Sequence, residues 1–453
     1  MLPKNVLYQN AINTSYARNY NNNIAPQNGL GPYGAGETII INIPTGLNTV
    51  MSGADSLLKF NASVTNDGTA SNFVRLDKAG AHSFIQRIRI FHGSTMLSDI
   101  DNYNNLVGML MVLQTSGDAF HGKHSILSGT EQLSVTTAAT DVSGGNITSI
   151  PIISGRKLKD DGALGANATT SPITFTIPIM NFLSYSDKYV PLFAMTGSSL
   201  RIEIQLVSSV QMAVCSHTAL SSFAINNVEY ICNFMEISDS GMAKIYESLG
   251  GGPVRWVVQD YRNYSQTESV STNKELSVSL PSKFNSLRSL FVSFREKYTG
   301  SNTYFPLDST HFGLSEYTFR LGSKTVPTKA PSSIPEFFGE LLRAIGSVSD
   351  LNHEPSINLA RYKIELPIAD DETATLPSVN SSSSSFYVGI DLESYSSSGI
   401  QDVYQGYNAS TDDIFFNPRF GTVSGGVHTV RIDTYAYFDQ VITIENGFAS
   451  VDN

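Results

Sequence analysis

The chain has 453 residues, 41% of them hydrophobic, which is enough for real cores and excludes a disordered polymer. A formal charge of −11, from 29 Lys and Arg against 40 Asp and Glu, argues against a surface dedicated to nucleic acid, which needs clustered cations. Two cysteines, Cys215 and Cys232, are too few for a disulfide framework or a thiolate metal cluster, so buried free thiols are expected.

In chain order, residues 1–30 are rich in Asn, Tyr and Ala without apolar periodicity and read as an extended N-terminal arm. The stretch lacks the apolar core of a secretory signal, which predicts a protein made and kept inside a cell. The first strong strand is Thr38–Ile43, apolar on both faces and so expected between sheets. Leu58–Val64 alternates with period 2, and Asn66-Asp67-Gly68 supplies turn residues. Phe84–Phe91 alternates Ile with Arg, with Arg87 and Arg89 read as solvated. Leu106, Leu110 and Leu113 fall at i, i+4 and i+7 and predict a helix over Asn102–Gln114. Residues 115–171 are long and polar, and are expected to hold small strands or a function of their own. Strands resume at Ile173–Ile179, Leu200–Val207 and Asn227–Ile237. A short helix at Ser238–Leu249 is stopped by Gly250-Gly251-Gly252-Pro253, the sharpest domain boundary in the chain.

Beyond that boundary the programme repeats. Strands are expected at Val254–Tyr261, Leu276–Leu280, Leu287–Arg295 and Tyr317–Leu321. A helix follows at Ile334–Ile345, then a polar stretch to Ser385, then strands at Phe386–Leu392 and His428–Ile444. Six segments of the first half match segments of the second in the same order. Pro44 and Pro281 end the first pair, at an offset of 237. Leu58 matches Leu290 at 232, Gly93 matches Gly322 at 229, and Gly108 matches Gly339 at 231. Ile173 matches Phe386 at 213, and Arg201 matches Arg431 at 230. Near-constant offsets in constant order point to a tandem pair of β-domains. The predicted division is an arm at 1–30, a first domain at 31–238, a helical linker at 239–253 and a second domain at 254–453.

Familiar chemical motifs fail on context. Gly29-Leu30-Gly31-Pro32-Tyr33-Gly34 has dinucleotide-loop spacing, but a polar arm precedes it and a strand follows. Residues 117–124 approach a phosphate-binding loop, yet His124 stands where a hydroxyl should hold Mg²⁺. His121 and His124 are read as loop histidines, since paired metal-ligand spacing is absent. Asp160-Asp161, Asp370-Asp371 and Asp412-Asp413 read as solvated turns. No catalytic, cofactor-binding or metal-ligating residue is assigned.

Several stretches resemble the double jelly-roll major capsid proteins of the tailless-phage and adenovirus lineage. Ser56–Val64 resembles the early strand of that family, and Gly80–Ser94 its following strand and turn. Val190-Pro191-Leu192 before Leu200–Ile204 is similar to the late part of a first roll, and Tyr435–Ala449 to a closing strand and tail. The resemblance implies an all-β fold of two tandem eight-stranded jelly rolls with short helices and long outer loops. It also implies a non-enzymatic structural role: homotrimeric, pseudo-hexagonal capsomers of an icosahedral virion, assembled inside the host cell. Implied partners are neighbouring capsomers, penton or minor capsid proteins and an inner membrane, without sequence-specific nucleic-acid binding. The loops at 115–171 and 346–385 are expected to project outward, and the arm to reach along the inner side or to a neighbour. A carbohydrate-binding or adhesin-like viral β-protein is the alternative; 21 tyrosines support it and a single Trp256 weakens it.

Overall fold

The computed structural model describes residues 17–46, 48–66, 68, 74–135, 150–156, 158, 164–186, 188–216, 220–297, 306–346, 355–363, 384–394 and 406–452. The first half contributes strands β1 (Ala17–Ile24), β2 (Thr38–Ile43), β3 (Thr49–Asn66), β4 (Val74–Leu76), β5 (Ile85–His92), β6 (Thr95–Asp101), β7 (Thr130–Val135), β8 (Ile150–Gly155), β9 (Ile173–Pro178), β10 (Leu200–Leu206), β11 (Val214–Ser216) and β12 (Leu220–Ile237). Its helices are α1 (Tyr103–Leu113), α2 (Gly117–His121), α3 (Lys123–Ser128) and α4 (Phe182–Tyr185). The linker helix α5 (Asp239–Leu249) follows. The second half contributes β13 (Val254–Val270), β14 (Val278–Leu280), β15 (Leu287–Glu296), β16 (Leu314–Leu321), β17 (Lys324–Val326), β18 (Tyr387–Asp391), β19 (Ile414–Phe420), β20 (His428–Glu445) and β21 (Phe448–Asp452), with helices α6 (Ile334–Ile345) and α7 (Leu359–Tyr362).

The strand orders define the fold. The first half pairs β1-β12-β3-β9 in one sheet and β2-β10-β5-β6 in the other. The second half pairs β13-β20-β15-β18 and β14-β19-β16-β17. If each half's eight strands are lettered B to I, both halves read B-I-D-G and C-H-E-F. That is the double-layered, antiparallel arrangement of a jelly roll, completed twice in one chain. The small pairs β4–β11 and β7–β8 decorate the first roll, and β21 pairs with the end of β20.

Burial explains why most strands were legible. β10 alternates buried and half-buried positions, with Leu200, Ile202, Ile204 and Leu206 inward, as period 2 requires. β2 behaves the same way: Ile39, Ile41 and Ile43 are buried while Ile40 is half-covered. Its expected burial on both faces is therefore corrected to one. The α1 helix departs in the other direction. All eleven of its residues are buried, so the predicted apolar stripe is too narrow; a helix apolar on nearly every side is covered on every side. The linker helix starts on Ser238, whose Oγ accepts the Gly241 N–H at 3.3 Å, and ends on Gly250 at φ 58°, a left-handed turn that glycine adopts without strain.

Three further expectations need correction. Within the N-terminal arm expected at 1–30, Ala17–Ile24 is strand B of the first roll, pairing β12 from Ala17↔Ile237 to Ile24↔Tyr230. Seven of its eight residues are exposed, so an edge strand without an apolar face looks like tail. Strand β19 has no continuous strand pattern in the sequence because Pro418 interrupts it. That proline lies beyond the stretch paired with β14, where Leu276 N–H donates to the Pro418 carbonyl at 3.1 Å. The sixth repeat pair is also wrong: Arg201 lies on strand H, but Arg431 lies on strand I. The counterpart of Leu200 is Ile414, an offset of 214 that agrees with the 213 of strand G.

The long polar stretch after α1 does hold small elements: α2, α3 and the β7–β8 hairpin. Residues 136–149 within it, most of the outer loop expected at 346–385, and residues 1–16 of the arm lie outside the described residues.

Candidate functional site: the seam between the rolls

The motifs rejected on sequence have structural uses. Gly29–Gly34 joins β1 to β2, and a Cβ at Gly31 would come within 2.5 Å of the Ile225 carbonyl. Residues 117–124 form α2 and the start of α3, preceded by a helix rather than a strand. Arg87 and Arg89 are not free solvated cations. Arg87 makes a bidentate pair with Asp99 at 2.7 Å, and Arg89 reaches Glu203 at 2.9 Å. Cys215 and Cys232 are buried, and burial pushes the Cys232 thiol up to about 12. Asp412 accepts a hydrogen bond from the Tyr407 hydroxyl, and Asp413 pairs with Lys283 at 2.8 Å; Asp160-Asp161 and Asp370-Asp371 lie outside the described residues. Among the described residues, no cluster of three or more His, Cys, Asp or Glu could hold a metal ion.

The densest buried chemistry lies between the rolls. Strand β20 carries Val430, Ile432 and Ala436 at alternate positions, all buried apolar residues. Arg431, Asp433 and Tyr435 alternate with them and so share the opposite face. In a free-standing roll that polar face would meet water. Here Asp433 and Tyr435 are both 0% exposed, and Asn102 and Asn105 of the first roll hydrogen-bond to them.

Asn102 is the joint. It precedes α1 in a left-handed conformation, φ 48° and ψ 41°, which Asn tolerates better than other side-chain-bearing residues. Its Nδ2 donates to Asn263 Oδ1 at 2.9 Å and to Asp433 at 3.3 Å. Its Oδ1 accepts from Gln86 at 2.8 Å, and its carbonyl accepts the Tyr435 hydroxyl at 2.9 Å. One turn on, Asn105 Nδ2 donates to Ser293 Oγ at 2.7 Å and to the Tyr435 hydroxyl at 3.0 Å. Polar groups at this depth are costly unless paired, so the network specifies one docking geometry. Asn102→Ala is expected to cost about 2–4 kcal/mol, combining left-handed strain with stranded partners. Urea unfolding of the purified variant measures it; a loss below about 0.5 kcal/mol contradicts the role.

Charged groups brace the same interface. Arg295 donates to Asp433 Oδ2 through Nε at 2.9 Å, and Arg431 reaches Oδ1 at 3.1 Å. Burial alone would raise the Asp433 carboxyl; the two guanidiniums more than offset it and hold it below the ordinary range. Further along, Lys78 of the first roll is fully buried and donates to the Ser384 carbonyl at 2.6 Å. Burial pushes its ammonium down to about 8, against the pull of Asp77 and Asp308. Asp77 Oδ2 in turn accepts the Leu307 N–H at 2.6 Å. On the other flank, Trp256 Nε1 donates to Ser186 Oγ at 2.8 Å, with its ring 5.4 Å from Phe182. The C-terminal strand closes the joint, with Ala449 N–H donating to His92 Nδ1 at 3.2 Å.

Asn102, Trp256 and Arg431 figure in the sequence reading, but none of them for a role in joining the rolls. Two signals were available: the run Asn102-Tyr103-Asn104-Asn105 at the start of an apolar helix, and Arg431, Asp433 and Tyr435 alternating with Val430, Ile432 and Ala436 along β20.

No protein-family model matches the chain, and no curated protein matches it by sequence. Solved structures do match. The chain is similar to the PBCV-1 virus capsid, with a TM-score of 0.60 at 8% identity over 98% of this chain and 99% of that one. It is similar to the Faustovirus major capsid protein, 0.59 at 10% identity over 97% and 92%, and to the mavirus major capsid protein, 0.51 at 12% identity over 100% and 93%. At such identities the likeness establishes a shared fold, and it extends over both rolls together.

Proposed function

We propose that this chain is the major capsid protein of an icosahedral virion, and that it works by assembly rather than turnover. The supporting observation is the double fold: two complete B-I-D-G and C-H-E-F rolls, similar as a unit to viral capsid proteins over nearly their whole length. A second observation supports the physics. The seam holds the rolls in one geometry with buried, directional bonds, so a chain offers two similar flanks at a fixed relation. Three such chains approximate sixfold symmetry and can tile a shell. Further partners in this reading are neighbouring capsomers, vertex or minor capsid proteins and an inner lipid layer. The adhesin-like alternative loses its best aromatic: Trp256 is 2% exposed and packs against Phe182, so it cannot serve as a sugar platform.

Light scattering on the purified chain tests the proposal. The expected result is the mass of three 49.2 kDa chains, or larger shell-like assemblies. A monomer at all concentrations and salt conditions overturns it.

A further inference from the structure

The two rolls do not cover equivalent surfaces equally. Gly108 of α1 and Gly339 of α6 occupy the same place in the repeat. A Cβ at Gly108 would lie 3.4 Å from Leu307 Cδ1 of the second roll, whereas a Cβ at Gly339 would meet nothing within 4 Å. All of α1 is buried, yet in α6 Pro335 is exposed, and Ile334, Phe338, Leu342 and Ile345 are only half-covered. These residues are not scattered. Phe337, Leu341 and Ala344 bury against the helix's own roll, and the half-covered residues form the adjoining stripe. At about 100° per residue the two stripes span roughly 160°, wider than one roll needs. Beside the second stripe, α7 completes an apolar groove of about 290 Å³ lined by Ile334, Pro335, Phe338, Ile357, Leu359 and Tyr362. Leu359 is 64% exposed.

The complementary half lies open on the first roll. Strand β1 is exposed at seven of eight positions, while its counterpart β13 is covered at Trp256, Val258, Gln259, Asp260 and Tyr261. Each chain therefore buries one helix-on-sheet seam and leaves the two halves of a second one uncovered, on opposite rolls.

We infer that the α6 face and its groove dock on the β1-β12-β3 sheet of a second copy of this chain, repeating between chains the seam that α1 makes within one. This deepens the capsid reading and rests on it for threefold closure; a head-to-tail interface of this kind closes into a ring when its rotation allows. The repeat assigns the partners. Asn105, which reaches Ser293 within the chain, corresponds to Glu336. Ser293 corresponds to Asn61. Leu290 pairs with Ala436 as Leu58 pairs with Tyr230, so Tyr435 corresponds to Glu229. Lys59, with a side chain 40% exposed, stands beside Asn61 and Glu229. Within one chain Lys59 pairs with Glu229 at 3.2 Å and Glu336 with Lys329 at 3.9 Å; on docking, Lys59 would lie between the Glu229 and Glu336 carboxylates.

A cysteine pair tests this. Glu336→Cys with Asn61→Cys, treated with a short bismaleimide, is expected to give covalent dimers and trimers on a denaturing gel, and either single variant only monomer. The native cysteines are buried and the single variants read any contribution from them. Separately, Phe338→Asp is expected to lose the trimer in light scattering while keeping its circular dichroism. Ile126→Asp, at a residue 83% exposed elsewhere on the first roll, is expected to keep the trimer. A wild-type trimer in which the double variant fails to cross-link overturns this interface and leaves the capsid reading standing. A wild-type monomer overturns both.

Discussion

Replacing Arg295 with methionine is expected to destabilise the protein by about 3–5 kcal/mol, the cost of breaking a buried ion pair from one side. Asp433 is 0% exposed and would keep its charge with Arg431 as its one remaining cation and Asn102 Nδ2 as a neutral donor. Methionine fills much of the volume left by the arginine stem, so the loss reports the stranded carboxylate more than a cavity. Adding Asp433→Asn to the same variant should recover part of the loss, because the orphaned charge is then gone. Chemical unfolding of the single and double variants measures both effects. Equal stability of Arg295→Met and the wild type would mean that Asp433 is solvated and the seam is not closed there. An Arg295→Lys variant should lie between, since lysine keeps the charge but not the fork that meets the carboxylate through two nitrogens.

The seam should also be pH-sensitive through Asp260. This residue is 1% exposed on β13. Burial raises its carboxyl to about 7, and the neighbouring Ser98 hydroxyl, Tyr261 amide and Arg262 guanidinium offset only part of that, while Asp99 adds to it. Ser98 and Asp99 belong to β6, so the first roll lies against this carboxyl. The folded chain holds the proton more tightly than the unfolded one, whose carboxyl titrates near 4. Stability from this group is therefore fully present below about pH 4, falls as the pH climbs from 4 to 7, and is lost above 7, by at most about 4 kcal/mol. Asp260→Asn removes the ionisation. The wild type should lose more thermal stability than the variant between pH 5 and pH 8, and the variant should be the more stable protein at pH 8. Parallel melting curves across that range would show that Asp260 titrates as an ordinary carboxyl.

Fold and site were legible in the sequence to different depths. Strands such as β10 and β15 announce themselves because one face meets a core. The linker helix does so because Ser238 and Gly250 cap it, and α6 because its buried stripe stands apart from charged residues. β1 gave no such signal, since an edge strand with Arg18, Asn19, Asn21 and Asn22 facing outward has no apolar face to display. Pro418 breaks the pattern of β19, while on strand I Arg431-Ile432-Asp433 resembles Arg201-Ile202-Glu203 of strand H. The seam was the least legible part. Its residues are Asn, Ser, Tyr and Arg, types that usually signify surface, and only tertiary packing reveals that Asn102, Asn105 and Asp433 are buried together. Period-2 alternation records which residues face away from a roll's own core, but not whether those residues meet water or another roll.

Electron cryo-microscopy of the purified, concentrated protein tests the central proposal most directly. The predicted image is a ring of six similar lobes contributed by three chains, with the α1 seam and its between-chain counterpart alternating around it. Isolated two-lobed particles, with no threefold class at any concentration, would contradict it.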